Sequence, residues 1–193
     1  LRGDFQNQKY RLEDKLLKYY PEEIQKQQSC IAALKKDAQT ADDHPQDKEN
    51  FCGMSIKGMV FDDKKDAGER LLLARQEMPN ADMMLLGSYR GFELNIRFDS
   101  FKNEHQAVLR AELSYPVSLG DDARGNIVRL DNAIDNFADR IADAENALQN
   151  LEQQKQAAEI EVAKPFAQEE ELQEKSARLA ELNALLNIDH KPK

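Results

Sequence analysis

"LGSYRGFELNI", Leu86 to Ile96, sets two glycines around Ser88, Tyr89 and Arg90. Such a pair marks either a phosphate-cradling loop or a bend that leads into a strand. The residues that follow decide between them. A Walker-type loop needs GxxxxGK(S/T), and here the spacing is GxxxG with Phe92 where the Lys would stand. A dinucleotide fingerprint needs GxGxxG between a strand and a helix, and here a strand follows. Phe92, Leu94, Ile96 and Phe98 fall on one face of that strand, with Glu93, Asn95 and Arg97 on the other. The glycines therefore read as backbone freedom at a bend or bulge between strands. Tyr89 and Arg90 are then expected at a tip, where they can contact a partner.

Working outward, Phe51 to Leu119 consists of short alternating segments: "GMSIKGMVF", "MLLGSY", "FELNIRF" and "AVLRAELSY". A helix over Lys64 to Gln76 interrupts them. Leu109, Ala111, Leu113 and Tyr115 repeat the alternation of the Phe92 strand. This predicts a half-buried antiparallel pair with "DSFKNEH" as its connection.

The flanks have a different period. Phe5 to Ala38 reads as helix, with a seam of Leu17, Tyr20, Ile24, Gln27, Ile31, Leu34 and Ala38. Pro21 interrupts it and predicts a kink or restart near Tyr20. "TADDHPQDKEN", Thr40 to Asn50, reads as a linker. After the turn "GDDARGN", Asn126 is placed to cap a long helix. Its seam is Ile127, Leu130, Ile134, Phe137, Ile141, Ala144, Leu148, Leu151, Lys155, Ala158 and Val162. At 1.5 Å per residue the two helices would be about 51 and 54 Å long. The match suggests an antiparallel coiled-coil pair with the α+β unit inserted at one end. Pro165 ends the second helix. A last helix begins at Glu169-Glu170-Glu171 and carries Leu172, Leu179, Leu182 and Leu186.

The expected fold class is therefore α+β and mainly helical. Residues 1–39 form a first coiled-coil arm, 40–50 a linker and 51–125 a small antiparallel-sheet-plus-helix unit. Residues 126–164 form the second arm, and 165–193 the C-terminal helix and tail. With 8 Gly, 6 Pro, no Trp and 33% charged residues, the composition suits long helices better than a sandwich or barrel. The net charge of −9 is uneven, since residues 131–193 hold 14 acidic and 7 basic side chains. That third repels phosphate, whereas the near-neutral middle leaves nucleic-acid contact open. No apolar run approaches the ~20 residues of a membrane span, so the chain reads as cytoplasmic. The opening "LRGDFQNQ" lacks Met and reads as a piece of a longer protein.

No constellation of residues points to a reaction. Cys30 and Cys52 lack metal-type spacing and read as idle thiols. His44, His105 and His190 fall in predicted loops or the tail without companion ligands. Asp62-Asp63 and the Glu169 run read as helix caps rather than paired catalytic carboxylates. Ser29, Ser55 and Ser88 lie outside any GxSxG elbow. The expectation is no enzyme, no cofactor and no metal. Lys64, Lys65, Arg70, Arg75, Arg90, Arg97, Lys102, Arg110, Arg124 and Arg129 could form a basic face. Twelve acids share residues 51–130, so a mixed solvated surface is the simpler reading.

Four phrases carry a family resemblance: "IKGMVFDDKKDAGERLL", "LGSYRGFELNIRFDSF", "GNIVRLDNAIDNF" and "VAKPFAQEEELQEKSARLAELNALLN". Over roughly residues 50–189, the chain resembles the C-terminal region of very large proteins from mobile elements of Firmicutes. Those proteins look like fusions of a superfamily II, Swi/Snf-type helicase with an adenine-specific DNA methylase. The resemblance implies a DNA-processing parent. It transfers no catalytic residue, because Walker, DEAD/DEAH-like and Asn/Asp-Pro-Pro-Tyr/Phe motifs are missing from this sequence. The expected function is a non-catalytic accessory module that positions DNA or a partner for the parent enzyme. Tyr89, Arg90, Arg97, Lys102 and Arg110 are the candidate contacts. The alternative is a coiled-coil module for protein contact or homodimerisation, with no DNA contact.

Overall fold

The computed structural model describes residues 2–46, 51–78, 82–165 and 169–189. The chain is mainly helical and carries one six-stranded antiparallel sheet of order β2-β1-β3-β4-β5-β6. Helix α1 (Arg2–Asp14) runs through a π-helical turn, Lys15–Tyr19, into α2 (Tyr20–Asp43). Strands β1 (Met54–Ile56) and β2 (Met59–Phe61) precede α3 (Lys64–Gln76). Then come β3 (Met84–Tyr89), β4 (Phe92–Asp99), β5 (Glu104–Arg110) and β6 (Ser114–Ser118). Helices α4 (Ala123–Asp135), α5 (Phe137–Ala163) and α6 (Glu169–Asp189) complete the chain. Two compact units result, one of residues 25–149 and one of residues 1–24 with 150–193.

In the 25–149 unit, alternation puts Leu94, Ile96, Ala107, Leu109, Tyr115 and Val117 in the core, together with Ala67 and Leu71 of α3 and Ile127 and Leu130 of α4. The opposite sheet face is exposed at Val60, Leu85, Glu93, Arg110 and Pro116. Helix α3 starts where the sequence places it. The Asp63 carboxylate accepts from the Lys65 and Asp66 amides at 2.7 and 3.1 Å, which satisfies two open donors of the first turn. Gly68 lets α3 and α4 touch, since a Cβ there would lie 2.1 Å from the Ala123 carbonyl oxygen.

The opening stretch is a hairpin. Tyr89 pairs with Phe92, and Arg90 and Gly91 between them have φ of +49° and +79°. Positive φ at both central residues is the hallmark of the tight turn whose twist matches its strands. Gly87 lies at a register shift, where a Cβ would come within 2.0 Å of the Ser55 carbonyl oxygen of β1.

Several sequence expectations are corrected here. "AVLRAELSY" is two strands, because Leu109 pairs with Tyr115 across a turn at residues 111–113. Cross-strand partners share a face, so the hairpin imitates the alternation of one strand. Strand β5 begins at Glu104, which shortens the β4–β5 connection to residues 100–103 and puts His105 in a strand. Helix α2 continues to Asp43, with Ala41 buried, into what reads as linker. Residues 47–50 and His190 lie outside the described residues.

The long second helix is broken at Asn136, where φ is −96° and ψ is 21°. The cap of α4 is Asp122, which accepts from the Gly125 amide at 2.8 Å. Asn126 is buried instead and clamps Gly120, accepting from its amide at 2.8 Å and donating to its carbonyl at 3.0 Å. The seam itself is well placed. Ile127, Leu130, Ile134, Phe137, Ala144 and Ala158 are buried, and its other members are half-buried.

The unit of residues 1–24 and 150–193 is helical. Pro21 cannot donate to the Leu17 carbonyl, and the Tyr20 amide reaches back to the Lys15 carbonyl instead. The extra residue in that turn shifts the stripe. Leu17, expected in the seam, is 78% exposed, and Leu16 and Leu12 are the half-buried positions. Among the described residues, no helix is long and apolar enough to cross a membrane.

Candidate functional site

The turn that follows Tyr89 is held from three sides within the 25–149 unit. The Tyr89 hydroxyl donates to Asp131 Oδ1 at 2.5 Å. The Arg90 guanidinium donates from Nε to the His44 carbonyl at 3.1 Å, and from one terminal nitrogen to Asp135 at 2.7 Å and Asp131 at 3.5 Å. Lys64 reaches the other oxygen of Asp131 at 3.4 Å. Tyr89 and Arg90 are 1% and 8% exposed, so they are internal and not at a contact tip. The physical reason is charge. A guanidinium this deep is stable only with partners, and α4 supplies two carboxylates four residues apart on one face.

This cluster is chemically quiet. Burial first, then the Asp131 carboxylate, push the Tyr89 phenol well above its ordinary range, so it stays a hydrogen-bond donor. Burial also raises the Cys52 thiol, against the pull of Arg90. A cavity of about 510 Å³ adjoins Arg90, walled by Ala38, Ala41, Ile134, Phe137 and Ile141 with Asp42 and Asp135 at its polar side. Arg90 faces it already matched by carboxylates, so among the described residues the cavity offers no free cation for a phosphate. Among the described residues, no group of three or more His, Cys, Asp or Glu is placed to hold a metal ion.

A second polar key holds the β5–β6 hairpin. Asp37 of α2 is wholly buried and accepts from the Glu112 and Leu113 amides at 2.9 and 3.0 Å and from the Tyr115 hydroxyl at 2.5 Å. Phe137 lies parallel to Phe92 at 5.9 Å and edge-on to Tyr115 at 5.1 Å, with the Arg140 guanidinium 4.9 Å above the Tyr115 ring.

The remaining candidate contacts are scattered. Arg97 donates twice to Gln106 Oε1, at 3.1 and 2.9 Å, within a polar network on the open sheet face. Gln106 passes the bonding on to Asp99 and Glu104, and Ser118 donates to Glu104 at 2.6 Å. Lys102 is at the β4–β5 tip, 4.0 Å from Glu104 and beside a fully exposed Phe101. Arg110 is exposed on the open face. The ten basic residues singled out in the sequence do not gather into one face. Lys64, Lys65, Arg70, Arg75 and Arg90 each pair with a carboxylate.

Sequence reasoning missed Asp37, Asp131 and Asp135, and gave Asn126 a capping role in place of its clamp on Gly120. A signal was present. Asp131 and Asp135 flank Ile134 on a helix whose apolar seam was plain, and Asp37 adjoins the seam residue Ala38. Asp37 and Asp131 are buried there, and Asp135 stays exposed at the edge.

The two units differ in how much they bury. Among the described residues, large hydrophobics are exposed in both: Tyr10, Leu17, Tyr19, Ile160, Leu179, Leu182 and Leu185 in residues 1–24 and 150–193, and Met59, Val60, Leu73, Met83, Leu85, Phe101 and Val128 in residues 25–149. Among the described residues, the unit of 1–24 and 150–193 contributes only Tyr20 and Ala158 to the buried hydrophobics, and residues 25–149 contribute the rest. Comparison with protein-family models, curated proteins and solved structures found no match to this chain.

Proposed function

We propose that this chain is a non-catalytic contact module of a larger DNA-processing protein, of the helicase–methylase kind that its phrases resemble, and that its contact is with protein. In this reading residues 25–149 are a rigid carrier and residues 1–24 with 150–193 bear the contact surface. The observation that supports it is the apolar distribution. Among the described residues, nearly all the buried hydrophobics lie in the first unit, and the second exposes Leu179, Leu182 and Leu185 on one helix. Burying a leucine is worth about 1.5–3 kcal/mol, so such a surface gains by meeting another. The finer architecture belongs to the same proposal: α2 and α5 run as an antiparallel coiled coil. In its support, Gln27 donates to the Ala144 carbonyl at 3.0 Å, Lys35 pairs with Glu145 at 2.8 Å, and Ile31, Leu34 and Ala144 join one core. Such a module would work in the cytoplasm.

Contact with DNA is the second reading, favoured by the exposed Arg110 and Lys102. Fluorescence anisotropy with labelled single-stranded and duplex DNA at two salt concentrations separates the two. Phosphate contacts would give a steep salt dependence. The expected result is no salt-sensitive binding, together with co-elution of the chain with the helicase portion of its parent. Salt-sensitive binding that is lost when Arg97, Lys102 and Arg110 become Ala would replace protein contact with DNA contact.

A further inference from the structure

The exposed stripe of α6 has a chemistry that selects its occupant. Leu179, Leu182 and Leu185 are 61%, 48% and 61% exposed and recur at helical spacing. In sequence, Leu172 stands one heptad before Leu179 and Leu186 one heptad after it. A helix of 21 residues with leucines in that pattern is one strand of a helical pair. Its charges are lopsided. In sequence, six acids, Glu169, Glu170, Glu171, Glu174, Glu181 and Asp189, stand against two bases, Lys175 and Arg178, a net charge of −4. Lys175 is already bound to Glu171 at 2.6 Å, which leaves Arg178 as the other cation among the remaining acids and the net charge at −4.

Charges beside an apolar seam choose the partner strand. A second copy of α6 would set −4 against −4 within a Debye length, which opposes pairing. A nucleic acid is repelled for the same reason. We infer that α6 docks an amphipathic helix of net positive charge, with leucine-type residues at heptad positions and Lys or Arg beside them. At 1.5 Å per residue the paired length is about 31 Å, so the partner helix needs about 20 residues. This rests on the protein-contact reading and names the chemistry of its partner.

The test titrates the whole chain into a fluorescent synthetic peptide of three heptads with Leu at a and d and Lys at e and g. A second peptide keeps the leucines and carries Glu at e and g. The expected result is anisotropy-detected binding of the Lys peptide at least tenfold tighter than that of the Glu peptide, weakened by salt. The double variant Leu179→Gln, Leu182→Gln keeps every charge and should lose at least tenfold in affinity for the Lys peptide. Its unfolding curve should match that of the native chain. Equal binding of both peptides would overturn the charge argument, and unchanged binding by the double variant would overturn the apolar one. Binding of neither peptide would overturn the inference as a whole. Self-association through the same leucines, read by sedimentation, would replace the basic partner with a second copy and leave the protein-contact reading standing. Binding of neither peptide together with salt-sensitive DNA binding would remove that reading too.

Discussion

Residues 25–149 and the segments 1–24 and 150–193 both expose large apolar side chains, but among the described residues the first unit holds nearly all the buried ones. In the first unit a sheet face and helix faces meet, and three aromatic rings, Phe92, Tyr115 and Phe137, close on one another. In the second, helices leave Leu17, Leu179, Leu182 and Leu185 exposed to water. The difference teaches where selection by folding ends. A sheet buries a whole face at once, and its turns must then be fastened by polar keys such as Asp37 and Arg90. A helical stripe without a facing element buries little and remains available for another chain.

The contrast can be broken most forcefully at Phe137. Phe137→Asp leaves an unpaired charge among rings and should cost on the order of 4 kcal/mol or more, read as a lowered midpoint of denaturant unfolding. Unchanged unfolding would mean that the ring cluster does not hold the first unit together. Arg90→Ala comes next. Removing the partner of Asp131 and Asp135 should cost roughly 3 kcal/mol, seen in thermal unfolding and as exchange of the neighbouring amides. A fully stable Arg90→Ala chain would return Arg90 to the surface-contact role its sequence suggested. Asp37→Asn turns an amide donor toward two backbone donors and should cost about 1–3 kcal/mol, with protection from hydrogen exchange lost first at Glu112 and Leu113.

A smaller effect concerns pH. Burial and, secondarily, Arg75 lower the His105 pKa from its ordinary 6.5. A depressed folded pKa means that the neutral ring is favoured by folding. The associated stability is present above pH ~6.5 and is lost as the pH falls through the folded pKa. An NMR titration should place the His105 midpoint below 6.5, and a midpoint above it would contradict the packing of β5. Smallest of all, Leu179→Asp in the second unit should change unfolding by no more than about 0.5 kcal/mol. A loss as large as that of Phe137→Asp would erase the distinction between the two units.

Much of the architecture was legible. Helix α3 runs from Lys64 to Gln76 as the pattern requires, α6 starts at Glu169, and every seam position from Ile127 to Val162 is buried or half-buried. These features depend on neighbours three or four residues away, which a sequence displays directly. Glycine spacing also sufficed to reject a phosphate loop. Other features misled for physical reasons. Leu109 and Tyr115 alternate in phase whether they lie on one strand or face each other across a turn. Leu17 fits a 3,4 spacing until Pro21 forces an extra residue into the helix. The candidate contact residues were the least legible. Exposure of Arg90 depends on whether carboxylates from a helix some forty residues away arrive beside it, and local spacing carries no record of that. By itself, then, the sequence determined the periodic elements and the absence of recognised nucleotide-binding motifs. Tertiary structure alone decided which charges became internal fasteners and which leucines were left facing water, because burial is a property of what the rest of the chain brings alongside.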